Sequence, residues 1–316
     1  MRENLPRLAA VVAGITVGVA VLIAAFAWPA ANIAPREVPV AVAGPAQFVT
    51  EVTQKLDHMQ PGGFTVSAYS DAETARQAIR DRDAYGAIVA GRPPAVLSAP
   101  AASPAVAQIL DGIAAGIAAP GGQAHATPVV PLPADDPRGA GFAAGSLPLV
   151  LGALLGGILS FVAFRTVGLR LVALAGAAVC AGLSAAALLG PWLGVLTGGY
   201  PATAGVIALG LFAGGGVVVG AASLLGPLGI GLGAVTIMVL GNPLSGATSA
   251  PELLPSGWGA FGQWLPPGAL TTLLRSVSFF DGAAAAAPAA VLLGWTAFGL
   301  ALAAAAHLRG RSARQN

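Results

Sequence analysis

Apolar and polar positions along the chain separate into long uncharged runs on either side of one polar block. Leu8 to Trp28 carries no charge over about 20 residues, the length a helix needs to cross hydrocarbon. Arg2 and Arg7 precede this run and Pro29 closes it. Ala25-Phe26-Ala27 also has the small-residue form of a signal-peptide cleavage site, but the apolar core is longer than a usual signal segment, so a retained anchor is the reading adopted. Apolar runs return at Phe142 and continue as Leu147 to Phe164, Leu171 to Leu189, Ala202 to Leu240 and Ala289 to Ala306. Gly190-Pro191 stops the second of these. The run from 202 to 240 is too long for one crossing and predicts two helices folded back near Gly226-Pro227. The expected architecture is a multi-pass α-helical membrane protein of about six transmembrane helices, grouped one plus five.

The intervening block reads as an α/β domain inserted after the first helix. Val38-Pro-Val-Ala-Val-Ala and Phe64-Thr-Val-Ser-Ala-Tyr predict strands, as do Tyr85-Gly-Ala-Ile-Val-Ala and Ala95-Val-Leu-Ser. Between them, Ala46 to Met59 predicts a helix with Phe48, Val52 and Leu56 on one face. Asp71 caps a helix running to about Arg82, with Glu73 in its first turn and Arg76 and Arg80 later, as the helix dipole favours. Ser103 to Ala119 predicts an apolar-faced helix, and Thr127-Pro-Val-Val-Pro-Leu a last extended piece. The organisation is then an anchor over 1–30, the α/β domain over 31–141, and helices over 142–240. A hairpin follows over 241–288, and a final helix with a basic tail over 289–316.

Composition agrees with lipid as the main solvent: 56% of the 316 residues are hydrophobic and only 9% are charged, against about a quarter in soluble domains. Arg2, Arg7, Arg165, Arg170, Arg309, Arg311 and Arg314 fall on one side if six helices alternate, joined there by Glu3 alone among the acidic residues. The positive-inside rule makes that side the cytoplasm, puts both termini there, and leaves the α/β domain outside. The expected location is a bacterial cytoplasmic (inner) membrane. A net charge of +2 gives no reason to expect nucleic acid as a partner. Lys55 is the only lysine, so no Walker P-loop exists. His58, His125 and His307 are isolated from other metal-ligating residues, Cys180 sits in an apolar run, and the acidic residues of the α/β domain have cap or surface readings first. No catalytic constellation emerges, and neither an enzyme nor a cofactor is expected.

The hairpin is the most informative stretch. It is too polar and proline-rich to span, yet it holds Trp258, Phe261, Trp264, Phe279 and Phe280, ring types that gather at the lipid–water boundary. After Pro266-Pro267-Gly268, residues Leu270, Leu273, Leu274, Val277 and Phe280 recur at helical spacing, with Thr271, Thr272, Arg275, Ser276 and Ser278 opposite. This pattern predicts an amphipathic helix lying in or dipping into the interface. Arg275 and Asp281 read as an oppositely charged pair that holds the loop together. Asn242, Pro243, Trp264, Pro266, Pro267, Arg275 and Asp281 are the candidate functional residues. The pairs Gly152/Gly156, Gly210/Gly214, Gly216/Gly220 and Gly229/Gly233 permit close helix approach. No charge falls inside any predicted span, which disfavours ion-coupled transport.

Several short motifs carry a family likeness: Val38-Pro-Val-Ala-Val, Asp83-Ala-Tyr-Gly-Ala-Ile-Val, Gly241-Asn-Pro-Leu-Ser-Gly, Leu265-Pro-Pro-Gly-Ala, Arg275-Ser and Phe279-Phe-Asp-Gly. With the one-plus-five layout they resemble the ABC-2-type permease family, in particular its phage-infection-protein-like (YhgE/Pip-like) branch. The resemblance implies the membrane subunit of an exporter of amphipathic or cell-envelope molecules, dimeric and coupled to a separate ATPase. The other reading open to the sequence is a non-transporting envelope protein whose outer domain binds a ligand, a partner or a phage. Charge-free spans and the short Arg165–Arg170 loop favour it.

Overall fold

The computed structural model describes residues 4–117 and 125–315. Residues 118 and 119 at the end of one predicted helix, and the orienting residues Arg2 and Glu3, lie outside the described residues.

Helix α1 (Leu5–Ala31) leads directly into the α/β lobe. The lobe's elements follow as β1 (Val38–Ala43), α2 (Ala46–Met59), β2 (Phe64–Tyr69), α3 (Ala72–Arg80), β3 (Gly86–Val89), β4 (Ala95–Ser98), α4 (Pro104–Ile117) and β5 (Thr127–Pro128). Sheet order is β2-β1-β3-β4-β5, with β1 parallel to β2 and β3, β3 antiparallel to β4, and β4 parallel to β5. Strand β1 lies between β2 and β3 and is apolar throughout because both its faces are covered, the usual condition of a parallel strand. Val38, Val40 and Val42 pack with Val52 and Leu56 of α2 and Val106 and Leu110 of α4. Ala41 and Ala43 pack on the other face with Ala75 and Ile79 of α3. The predicted cap of α3 is present. Asp71 accepts from the Glu73 and Thr74 amides at 2.9 Å each, and the Asp71 amide donates back to the Thr74 hydroxyl.

Both lobe cores also recruit residues from far along the chain. Ala250 and Leu253 complete the first and Phe280 the second. The Ala34 and Arg36 amides donate to the Leu253 and Glu252 carbonyls. The 241–288 segment therefore contributes to the lobe's cores through Ala250, Leu253 and Phe280, while Ala269, Leu270, Leu273 and Leu274 pack in the bundle.

The remaining helices are α5 (Ala140–Ala163), α6 (Val167–Ala187), α7 (Tyr200–Leu225), α8 (Pro227–Ala234), α9 (Trp258–Gln263), α10 (Pro266–Phe279) and α11 (Ala286–Gln315). Five helices are long and apolar enough to cross a membrane: α1, α5, α6 with its continuation to Trp192, α7 and α11. Helix α7 is the axis, with 72% of its apolar window buried against 28% or less for the others. Glycine allows its neighbours to reach it. A Cβ at Gly157 would lie 2.7 Å from the Gly215 carbonyl, one at Gly182 2.7 Å from the Ala204 carbonyl, and one at Gly220 2.5 Å from the Gly299 carbonyl. Of the predicted small-residue pairs, Gly220 and Gly229 face backbone carbonyls, Gly210, Gly214 and Gly233 closely face side chains, Gly152 and Gly156 meet leucine side chains at 3.3 and 3.4 Å, and a Cβ at Gly216 would meet nothing within 4 Å.

The expected fold-back at Gly226 is present. Its φ of 64° with ψ of −140° is a conformation open to glycine, and the chain then runs back along α7, Gly233 against Val218 and Ile237 against Gly214. The returning helix is shorter than predicted, which corrects the count of six spanning helices. Eight residues of α8 are followed by seven of π-helix to Gly241, at most about 22 Å of rise against a hydrocarbon core of about 30 Å. The rest of the return path is irregular chain with α9, where Trp258, Phe261 and Trp264 are exposed, and α10, which is largely buried.

Chain direction puts the lobe at one end of the bundle and Arg7, Arg165, Arg170, Arg309 and Arg311 at the other. Arg170 at the start of α6 donates to Ser223 near the end of α7, while Gly198, just before α7, touches the Val277 carbonyl beside the lobe.

Candidate functional site

Where the lobe meets the bundle, a cavity of about 790 Å³ opens between the 34–37 loop, the α3–β3 turn, the 251–263 segment and α10. Its charged and polar lining includes Arg36, Glu37, Arg82, Tyr85, Glu252, Gln263, Thr272 and Arg275.

Arg82 follows the C-cap of α3 with φ of +67°, a left-handed conformation that reverses the chain and sends the side chain across to α10. There Nη1 donates to the Thr272 carbonyl and the Ser276 hydroxyl, and the guanidinium carbon lies 5.2 Å from the centre of the Phe280 ring. Desolvation by burial holds this guanidinium below its ordinary pKa. Tyr85 donates its hydroxyl to a Glu252 carboxylate oxygen at 2.8 Å, joining residues 167 positions apart. Burial, and then the negative charge of Glu252, push the phenol well above its usual range, so it stays a protonated donor. Arg36 places Nη1 on the carbonyls of Leu253 and Leu254 at 2.9 Å and Nη2 on Asn32.

Arg275 is only 4% exposed. Its Nη1 and Nη2 donate to the Gly246 and Ala247 carbonyls at 3.1 and 2.8 Å, and the guanidinium lies 4.8 Å from the Phe142 ring centre. Gly246 presents that carbonyl from φ of +69°. Burial pushes Arg275 down to about 10, which leaves it charged at neutral pH. Among the described residues the ion pairs are Arg76–Glu73 and Arg80–Glu73, both on the exposed face of α3. The cavity's arginines thus rest on carbonyls, a hydroxyl and aromatic rings, with no carboxylate at ion-pair distance.

A second, apolar hollow of about 880 Å³ lies along α11, lined by Trp264, Ala287, Pro288, Val291, Gly294, Trp295 and Phe298. Gln263, Thr272 and Ala284 line both hollows. The Thr272 hydroxyl donates to the Gln263 side-chain carbonyl at 2.6 Å, so this hydrogen-bonded pair forms the sill between them.

The residues singled out in the sequence scatter around this arrangement. Arg275 reaches the polar cavity, and Trp264, 70% exposed, lines the apolar one and accepts from the Trp295 indole at 2.7 Å. Pro266 and Pro267 open α10, buried, with Pro267 against Gly241. Asn242 and Pro243 form the turn after the π-helix, where the Asn242 carbonyl accepts from Ser245. Asp281 is exposed, at φ of +51°, and does not pair with Arg275, which corrects that expectation. The predicted interfacial placement of α10 is also corrected. Its apolar side packs on the bundle through Leu270, Leu273 and Leu274, and its polar side is buried as well, at Thr271, Arg275, Ser276 and Ser278.

Arg82, Tyr85, Glu252, Arg36 and Gln263 went unmarked in the sequence. Glu252 carried a usable signal, since it is the only acidic residue between Asp136 and Asp281. No family model, curated protein or solved structure matches this chain.

Proposed function

We propose that this chain is the membrane subunit of an ABC-2-type permease-like assembly in a bacterial cytoplasmic membrane, handling amphipathic or cell-envelope molecules. In this reading the lobe lies outside, both ends of the chain lie in the cytoplasm, two copies pair, and a separate ATPase supplies the energy. The observation that carries it is the paired polar and apolar hollows at the lobe–bundle seam, the two solvents an amphipathic cargo needs side by side. The gathering of arginines at the end opposite the lobe supports the orientation. The test is copurification of the tagged chain from its native host, together with efflux of amphipathic compounds from a deletion strain. Recovery of an ATP-binding-cassette subunit and an efflux defect are expected, and absence of both would overturn the proposal.

A second reading, an envelope protein that binds without transporting, is favoured by one feature. Leu253 and Phe280 join the lobe's cores to the membrane-side segment so closely that lobe and bundle share packing. Under this reading the deletion strain loses capture of a partner or phage while efflux stays intact.

A further inference from the structure

We propose that the two hollows form one binding site for an anionic phospholipid, its phosphate in the polar cavity facing Arg82 and an acyl chain in the groove along α11. The inference names a substrate class for the permease reading and rests on it.

Charge complementarity decides the headgroup. Arg36, Arg82 and Arg275 face two carboxylates, Glu37 and Glu252, and one oxygen of Glu252 is already engaged by Tyr85. Arg82 uses Nη1 for its protein contacts, while Nε and Nη2 have no hydrogen-bond partner among the described residues. A partly desolvated guanidinium with two free donors binds a phosphate as a fork. Geometry decides the tail. The groove's helical wall from Ala287 to Phe298 rises about 17 Å, close to one leaflet of a hydrocarbon core of about 30 Å. Its lining is alanine, proline, valine, glycine and aromatic rings, with polar atoms mainly at the shared sill of Gln263 and Thr272. A soluble phosphate would leave this groove unfilled, an uncharged lipid would leave Arg82 unanswered, and a zwitterionic lipid would bring its own cation beside a lining that already holds more arginines than carboxylates.

The test uses the full chain, purified without any ATPase subunit, from vesicles of equimolar phosphatidylglycerol and phosphatidylcholine with matched acyl chains. Native mass spectrometry reads the lipid that stays bound. Phosphatidylglycerol should be retained about tenfold over phosphatidylcholine, and Arg82→Gln should erase that preference. Gly294→Trp gives a second variant that leaves the arginines untouched. Gly294 lines the groove and a Cβ there meets nothing within 4 Å, so a side chain at this position starts in open space and adds bulk to the groove, and retention of both lipids should fall. Glycerol 3-phosphate should displace neither lipid. Equal retention of the two lipids, indifference to both variants, or displacement by glycerol 3-phosphate would each overturn the inference. None of these readouts involves an ATPase, so they stand apart from the copurification that tests the permease reading.

Discussion

Replacing Arg275 by methionine keeps the bulk of the side chain and removes its charge. Two carbonyls, Gly246 and Ala247, then lose donors at 3.1 and 2.8 Å, and the Phe142 ring loses its cation. Hydrogen bonds to a charged group contribute about 2 kcal/mol each and a desolvated cation–π contact about 2 more, near 6 kcal/mol together. Burial opposes them. The desolvation that lowers the guanidinium to about 10 takes back about 3 kcal/mol. The net loss expected for Arg275→Met is therefore about 3 kcal/mol. For a chain of 316 residues that corresponds to a fall in Tm of about 4–5 °C. The measurement is thermal unfolding in detergent micelles, followed by intrinsic tryptophan fluorescence. Arg275→Lys, which keeps a cation but cannot reach two carbonyls and a ring at once, should fall between the two. A methionine variant that melts within about 2 °C of the parent would refute the reasoning, because the carbonyls would then have found other donors.

Other outcomes follow from the same geometry. Tyr85→Phe leaves Glu252 without its donor and should cost about 1–2 kcal/mol in chemical denaturation. In a double-mutant cycle with Glu252→Gln the two losses should not add. Gly229→Ala drives a methyl into the Ala221 carbonyl, backbone that cannot step aside, whereas Gly231→Ala meets open space. The first should cost about 1–3 kcal/mol and the second should stabilise by up to about 1 kcal/mol, read as melting temperatures of the purified variants. The Asp71 carboxylate is held below its usual range, chiefly by the Thr74 amide and then by the Ser70 hydroxyl. Its stabilising effect is present above the ordinary value near 3.8 and disappears as pH falls through the depressed one. Asp71→Asn should therefore remove acid-dependent fraying of α3, followed by amide exchange at Thr74. With Cys180 replaced by alanine, a cysteine at exposed Gln54 in the lobe should react with an impermeant maleimide in whole cells, and one at exposed His307 should not. The opposite result would invert the proposed orientation.

Much of the fold could be read from periodicity because local rules governed it. Strand β1 reads as an unbroken apolar run since both its faces are covered, and α3 announces itself through Asp71 and Thr74. Where the sequence misled, long-range packing had overridden a local signal. The amphipathic pattern of α10 is real, but spacing alone does not distinguish a polar face turned to headgroups from one turned to protein. The partners of that face, Arg82 and Gly246, lie 190 and 29 positions away from theirs. The apolar run to Leu240 likewise hides the point at which α-helix passes into π-helix and the crossing falls short. Arg275 and Asp281 looked paired because they are neighbours in sequence, yet the turn after Phe280 leaves the carboxylate exposed.

Among the described residues, helix α1 is fastened chiefly near its root. From Leu8 to Ile23 its large side chains stand free of the rest of the chain, and its ring contact is Trp28 against Trp258 at 5.0 Å. Just beyond, Arg36 donates to the Asn32 carbonyl and to the carbonyls of Leu253 and Leu254, tying the chain down. A shaft built this way can lean to follow a thinner or thicker bilayer without disturbing any side-chain packing along its length. The leverage of that lean arrives at Arg36, on the rim of the polar cavity, so the lipid matrix itself has a mechanical handle on the seam.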